Sequence, residues 1–206
     1  SSDVCSSDLF DWKILDNLQP KSLDGATFTK QADGSFLLSG KNPASDRWVL
    51  TAEIQATGLN ALRIEALTHK SMKRNGPGRA SNGNFALSDI RVFAAPKKVG
   101  AGNKKGQAVK LINPKATHQQ NTGGLSVASS IDGDKKKSGW AVDRGGIGKE
   151  QAAVFEFAAP VGFEGGTVLT IEMDFFVNTS HTIGRPRLAV TAAPKPVAIK
   201  GDGRAA

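Results

Sequence analysis

The chain has 206 residues, with 27 Lys and Arg against 19 Asp and Glu, a formal charge of +8 and 39% hydrophobic residues. That length holds one large β-sandwich or two small ones, and apolar runs of only a few residues exclude a membrane-spanning helix. A single cysteine, Cys5, excludes an intrachain disulfide and any haem-attachment or cysteine–zinc pattern.

Residues 1–9 read SSDVCSSDL, with Ser-Ser-Asp occurring twice. DVCSSDL resembles the translation of a sequencing adapter, so this stretch is expected to be a non-native, disordered leader and is set aside from fold reasoning. From Phe10 the chain becomes structured. Trp12, Ile14 and Leu15 predict a short first strand closed by Pro20. GATFTK and SFLLSG flank Asp33-Gly34, a hairpin signal. In RWVLTAEI, Trp48, Leu50, Ala52 and Ile54 share one face and Thr51 and Glu53 the other. ALRIEAL repeats the rule, with Leu62 and Ile64 inward and Arg63 and Glu65 outward. In NFALSDIRVF the apolar phase shifts between Phe85/Leu87 and Ile90/Val92, which predicts a bulge near Ser88-Asp89.

Residues 97–107 form a Gly- and Lys-rich connector between the halves. VKLINPKATH opens the second half, and residues 119–150 look irregular, with one helical turn around 125–131. QAAVFEF, TVLTIEMDFF and RPRLAVTA complete the strands, and Pro186 predicts an edge position or a bulge in the last of them. From Pro194 the composition turns linker-like. The strongest organising signal is internal similarity. Residues 62–96 and 168–194 each read as an alternating strand, a loop with a Gly-Arg turn, and a second strand closed by Ala-Ala-Pro. About ten strands with almost no helix predict an all-β, antiparallel jelly-roll β-sandwich with pseudo-symmetric halves, 10–97 and 107–195, as one domain, followed by a linker at 196–206.

His69, His118 and His181 have no metal-ligand spacing, and His69 and His181 occupy equivalent loops, which favours packing over catalysis. Glu53, Glu65, Glu156 and Glu172 fall on polar strand faces, where ion-paired or solvated carboxylates are the default. No Gly-x-Ser-x-Gly occurs. No enzymatic activity, and no catalytic residue, is expected. Asp132 and Asp134 offer oxygens of a kind calcium takes, but Lys135–Lys137 oppose a cation; an Asp-Gly turn capping a backbone amide over Trp140 is the favoured reading. No metal site is therefore expected, with calcium as the alternative.

The loops 70–84, 132–144 and 178–186 are candidates for a ligand-facing rim if they meet at one end of the sandwich. Arg79, Asn82, Asn84, Trp140, Arg144, His181 and Arg185 are its candidate ligand-binding residues, because Arg and Asn make the fixed hydrogen bonds sugar hydroxyls require near an aromatic platform. The basic residues sit mainly in loops, without interleaved aromatics, so specific nucleic-acid binding is not expected.

DGSFLLSG, ALRIEAL, GPGRASNGNFALSDIRV, SSIDGD…GWAV, AVFEFAAPVGFEGGTVL and HTIGRPRLAVT together resemble a region of planctomycete cytochrome c domain-containing proteins. The Asp-Gly-Asp…Gly-Trp stretch also resembles the opening of discoidin or galactose-binding-like modules. The first resemblance implies a β-sandwich inside a larger, extracytoplasmic multidomain protein, with neighbouring domains as partners. It places haem c, whose Cys-x-x-Cys-His motif is missing here, elsewhere in such a protein. These readings lead to a non-catalytic carbohydrate- or glycan-binding module, with polysaccharide as its partner and no cofactor of its own. The alternative is a structural spacer, and a third reading is an accessory domain shaping a neighbour's active site.

Overall fold

The computed structural model describes residues 12–97 and 106–199. Strand-forming alternation of apolar and polar residues is realised as fourteen strands: β1 (Lys13–Ile14), β2 (Gln19–Ser22), β3 (Ala26–Lys30), β4 (Phe36–Gly40), β5 (Asp46–Ile54), β6 (Leu59–Ala66), β7 (Ala86–Leu87), β8 (Asp89–Pro96), β9 (Gln107–Val109), β10 (Leu111–Ala116), β11 (Trp140–Ala141), β12 (Gln151–Val161), β13 (Thr167–Phe175) and β14 (Pro186–Thr191). Two 3₁₀ turns, Lys73–Asn75 and Val127–Ile131, are the helical elements among the described residues. The second answers the turn expected around 125–131.

Ten of the strands form two five-stranded antiparallel sheets, in the orders β1-β14-β6-β12-β10 and β2-β5-β13-β8-β9. Their apolar faces meet in one core. Trp48, Leu50, Ala52 and Ile54 of β5 face inward with Leu169, Ile171, Met173 and Phe175 of β13, opposite Leu62, Ile64, Phe155, Phe157, Leu188 and Val190 of the other sheet. The molecule is therefore an antiparallel β-sandwich. Trp48 anchors one end of the core, with ring centroids 4.4 Å from Phe175 and 5.0 Å from Phe28. Its indole N–H donates to the fully buried Asp46 carboxylate at 3.0 Å, so the ring is buried without losing its one hydrogen bond.

Exchanging the two sheets maps one strand order onto the other. β2-β5-β13-β8-β9 becomes β10-β12-β6-β14-β1, with each successive pair β5–β6 and β12–β13 crossing between sheets. The repeated sequence thus places β6 and β14 side by side in one sheet and β13 and β8 side by side in the other. The correspondence reaches individual side chains. Leu62-x-Ile64-Glu65 matches Leu169-x-Ile171-Glu172, and Arg187 matches Arg91. Glu65 sits across from Arg187 and accepts from its Nε at 2.6 Å; Glu172 sits across from Arg91 and accepts from its Nε at 3.1 Å. Each sheet carries the same cross-strand ion pair on its outer face, and each half of the chain supplies one partner to each pair.

Several local expectations change. Pro20 does not end a strand; it lies inside β2, at the sheet edge, where a missing N–H costs no ladder bond. Pro186 is in an interior strand and not at an edge, but it is the first residue of β14, beyond the reach of β1, which pairs only with Ala189 and Val190. The phase shift at Ser88 is a change of sheet: β7 pairs with β11, β8 pairs with β13, and Ser88 between them bonds Asp174 and Phe176. The linker reading is corrected over 196–199, where Val197 is fully buried against Ala61 and Val154, with Trp12 and Ile199 packed beside it, and donates its N–H to Glu156 at 2.8 Å. The suspect leader 1–9, most of the 97–107 connector and residues 200–206 lie outside the described residues. Among those described, no helix is long and apolar enough to cross a membrane.

Candidate functional site

At one end of the sandwich β6 and β13 finish while β5, β8, β12 and β14 begin, as the pairs Ala66–Pro186, Ala66–Gln151, Phe175–Asp46 and Asp174–Asp89 show. The three loops chosen from sequence meet there. Gly78 bridges to Ile183, the Arg79 N–H donates to Thr182, and Ala86 donates to His181. β7 pairs with β11, so the second and third loops are clamped onto the first by backbone bonds.

The candidate side chains are mostly spent on that clamping. Trp140 is 0% exposed, stands edge-on to Phe85 at 4.8 Å, and donates its indole N–H to the His118 carbonyl at 2.9 Å. It has no open face on which a sugar could stack. Asn84 is buried; its Oδ1 accepts from the Val142 N–H at 3.0 Å, and its Nδ2 donates to the Gln120 side-chain Oε1 at 3.4 Å. Asn82 spans Asp143 and the Asn84 N–H. Arg79 donates to the carbonyls of Gly40 and Lys41 at 3.0 and 2.9 Å, and burial lowers its pKa, with Asp46 opposing. Arg185 donates to Ser35, Thr68 and Asp33, fastening the β3–β4 turn to this end. His181 makes a local bond to the Thr179 carbonyl, His69 to Ser71, and His118 to the Asp143 carbonyl. Arg144 alone of the seven is exposed, and among the described residues its side chain makes no hydrogen bond or ion pair.

The Asp-Gly-Asp loop closes on itself. Asp132 accepts from the Asp134 N–H at 2.7 Å and from Ser138, and Asp134 accepts from the N–H groups of Lys136 and Lys137, which hold its carboxyl below the ordinary aspartate range. Those bonds engage both oxygens of Asp132 and one of Asp134. Among the described residues no group of three or more His, Cys, Asp or Glu converges in a metal-binding arrangement.

A second feature went unseen in the sequence. An open groove of about 500 Å³ runs between edge strand β2 and the β3–β4 hairpin. Leu18, Phe28 and Phe36 give it an apolar floor, and Asp16, Asn17, Gln19 and Lys21 supply polar groups along its wall. Phe28 is only half-buried, with Trp48 packed edge-on behind it, so its ring is both held and accessible. Asn17 uses its amide N–H on the Glu53 carbonyl at 2.7 Å, which leaves its oxygen free, and among the described residues Lys21 makes no ion pair. The signal existed in the alternation of Gln19, Pro20, Lys21 and Ser22; treating Pro20 as a strand terminator hid it.

Fold and site together define a β-sandwich module with a groove at a sheet edge and a loop-clamped end. Comparison with protein-family models, with curated proteins and with solved structures finds no match.

Proposed function

We propose that the chain is a non-catalytic, carbohydrate-binding β-sandwich module of a larger protein, and that the β2/β3–β4 groove, not the loop-clamped end, is where it takes a neutral glycan. The observation that carries this reading is the accessible Phe28 ring with the Asn17 amide oxygen, the exposed Gln19 amide and the exposed Lys21 ammonium around it, since sugars are bound by an apolar ring face with hydrogen-bonding groups around it. An edge strand adds unpaired backbone groups along the same wall. The structural-spacer reading draws its support from the end loops, where Arg79, Asn84, Trp140 and Arg185 serve the fold itself.

A glycan array with the full chain separates the two. The expected result is binding to neutral glycans that Gln19→Ala/Lys21→Ala weakens about tenfold, with an unchanged thermal midpoint because both side chains are exposed. Silence across the array from a chain that melts cooperatively would leave the spacer reading standing.

A further inference from the structure

We infer that the loop-clamped end carries a second binding surface, distinct from the groove, for a polyanionic polysaccharide such as a sulfated or uronate-rich chain. Five exposed cations lie on two loops there: Lys70, Lys73 and Arg74 on one, Arg144 and Lys149 on the other. The loops are fastened together, since Gly148 donates to the Gly76 carbonyl at 2.6 Å and a Cβ on Gly83 would lie between the Lys73 carbonyl and Ile147. Among the described residues none of the five forms an ion pair, whereas Arg47, Arg63, Arg91, Arg185 and Arg187 all do. Of the carboxylates nearest in sequence, Asp143 accepts from Asn82 and the Arg144 backbone N–H, and Glu150, exposed, forms no ion pair with any of the five.

A second, independent observation concerns the backbone. Arg74 and Arg144 stand at φ 52° and 57°, the left-handed region that favours glycine. Arginine at such a position costs stability that glycine would not, and residues held this way cluster at binding sites. The two left-handed arginines of the described chain both belong to this surface. Among the described residues no exposed aromatic accompanies them, which disfavours single-stranded nucleic acid, whose binding draws on base stacking. Flexible cations without a stacking platform match an anionic sugar chain instead.

The test uses heparin as the probe, with neutral dextran and single-stranded DNA as parallel arms. Arg74→Gly/Arg144→Gly removes both charges while relieving the backbone, so the variant is expected to melt no lower than the parent. Heparin binding should fall by tenfold or more, with the slope of log affinity against log salt shallower by roughly two. Lys13→Gln/Lys110→Gln, which removes two exposed charges outside this end, should leave heparin affinity within twofold. Equal losses from both pairs would reduce the effect to net charge and overturn the inference. So would undiminished binding by the glycine pair, or tighter binding to DNA than to heparin. The groove pair Gln19→Ala/Lys21→Ala keeps the two proposals separable, because it is expected to affect neutral glycans with little effect on heparin.

Discussion

Trp140 shows how one residue type serves two purposes that sequence cannot separate. An indole beside an Asp-Gly loop reads equally as a stacking platform or as a plug, and the distinction rests on whether its N–H finds a partner inside. Here it finds the His118 carbonyl, and Phe85 fills the space beside it. Trp140→Ala is expected to cost about 3–5 kcal/mol in chemical denaturation, the usual cost of emptying so large a buried site. Gly78 is the backbone counterpart. A Cβ there would lie 1.9 Å from the Asn84 carbonyl oxygen, so Gly78→Ala must push the two arms of the first loop apart. Its effect should appear as a lower thermal midpoint together with loss of amide protection over residues 78–86. The close approach is invisible in the sequence, where Gly76-Pro77-Gly78 signals only a turn.

At the scale of elements, alternation made the long strands legible. β5, β6, β8, β12 and β13 lie where their apolar periods put them, because burying one face of a strand fixes its register. Short elements depend on partners and were harder to see: β2 is held by four register pairs with β5, and β10 bends between Ile112 and Lys115, where Asn113 takes a positive φ. The outer face of β13 gathers charge by the same alternation. Asp174, 0% exposed, accepts from Arg47 at 2.6 Å and from both terminal nitrogens of Arg91 at 3.0 Å, with Asp89 and Glu172 close by. Burial drives Asp89 above the ordinary aspartate range, aided by Asp174 and opposed by Arg91 and Lys135. An acid with a raised folded pKa weakens folding once pH exceeds its unfolded value, so Asp89→Asn should be close to neutral at pH 7. Asp174→Asn removes the one carboxylate partner of Arg47, while Arg91 keeps Asp89 and Glu172, and should cost about 2 kcal/mol, below the 3–5 of a fully buried pair because Arg47 is partly exposed. Parallel urea melts at pH 7 rank the two.

For the whole molecule, acid stability follows from two carboxylates that tie distant segments together. Burial pushes Asp33 and Glu156 up, but it is outweighed: Ser35, Arg185 and Arg187 hold Asp33 low, and Asn113, the Val197 N–H and Lys115 hold Glu156 low. Lowered folded pKa values give stability that is present above the unfolded values and lost as pH falls through the folded ones. The melting midpoint should therefore drop as pH falls below the ordinary 3.8 and 4.5 of aspartate and glutamate. Glu156→Gln should flatten that dependence and loosen residues 194–199, read by hydrogen exchange. The two-sheet plan was legible because its repeat lies in the pattern Leu-x-Ile-Glu, twice. The groove was not, since it arises from how a proline-bearing edge strand leans against a hairpin.

β1 pairs with β14, and Trp12 packs in the same cluster as Val197 and Ile199. The two ends of the described fold thus lie at one corner, shoulder to shoulder. A link in a rod needs its two attachments at opposite poles; this body has both at a single pole and would hang from a longer polypeptide as a pendant. In the larger protein proposed above it would add reach sideways and almost none lengthwise, with its cationic end, at the opposite pole, held farthest from the attachment.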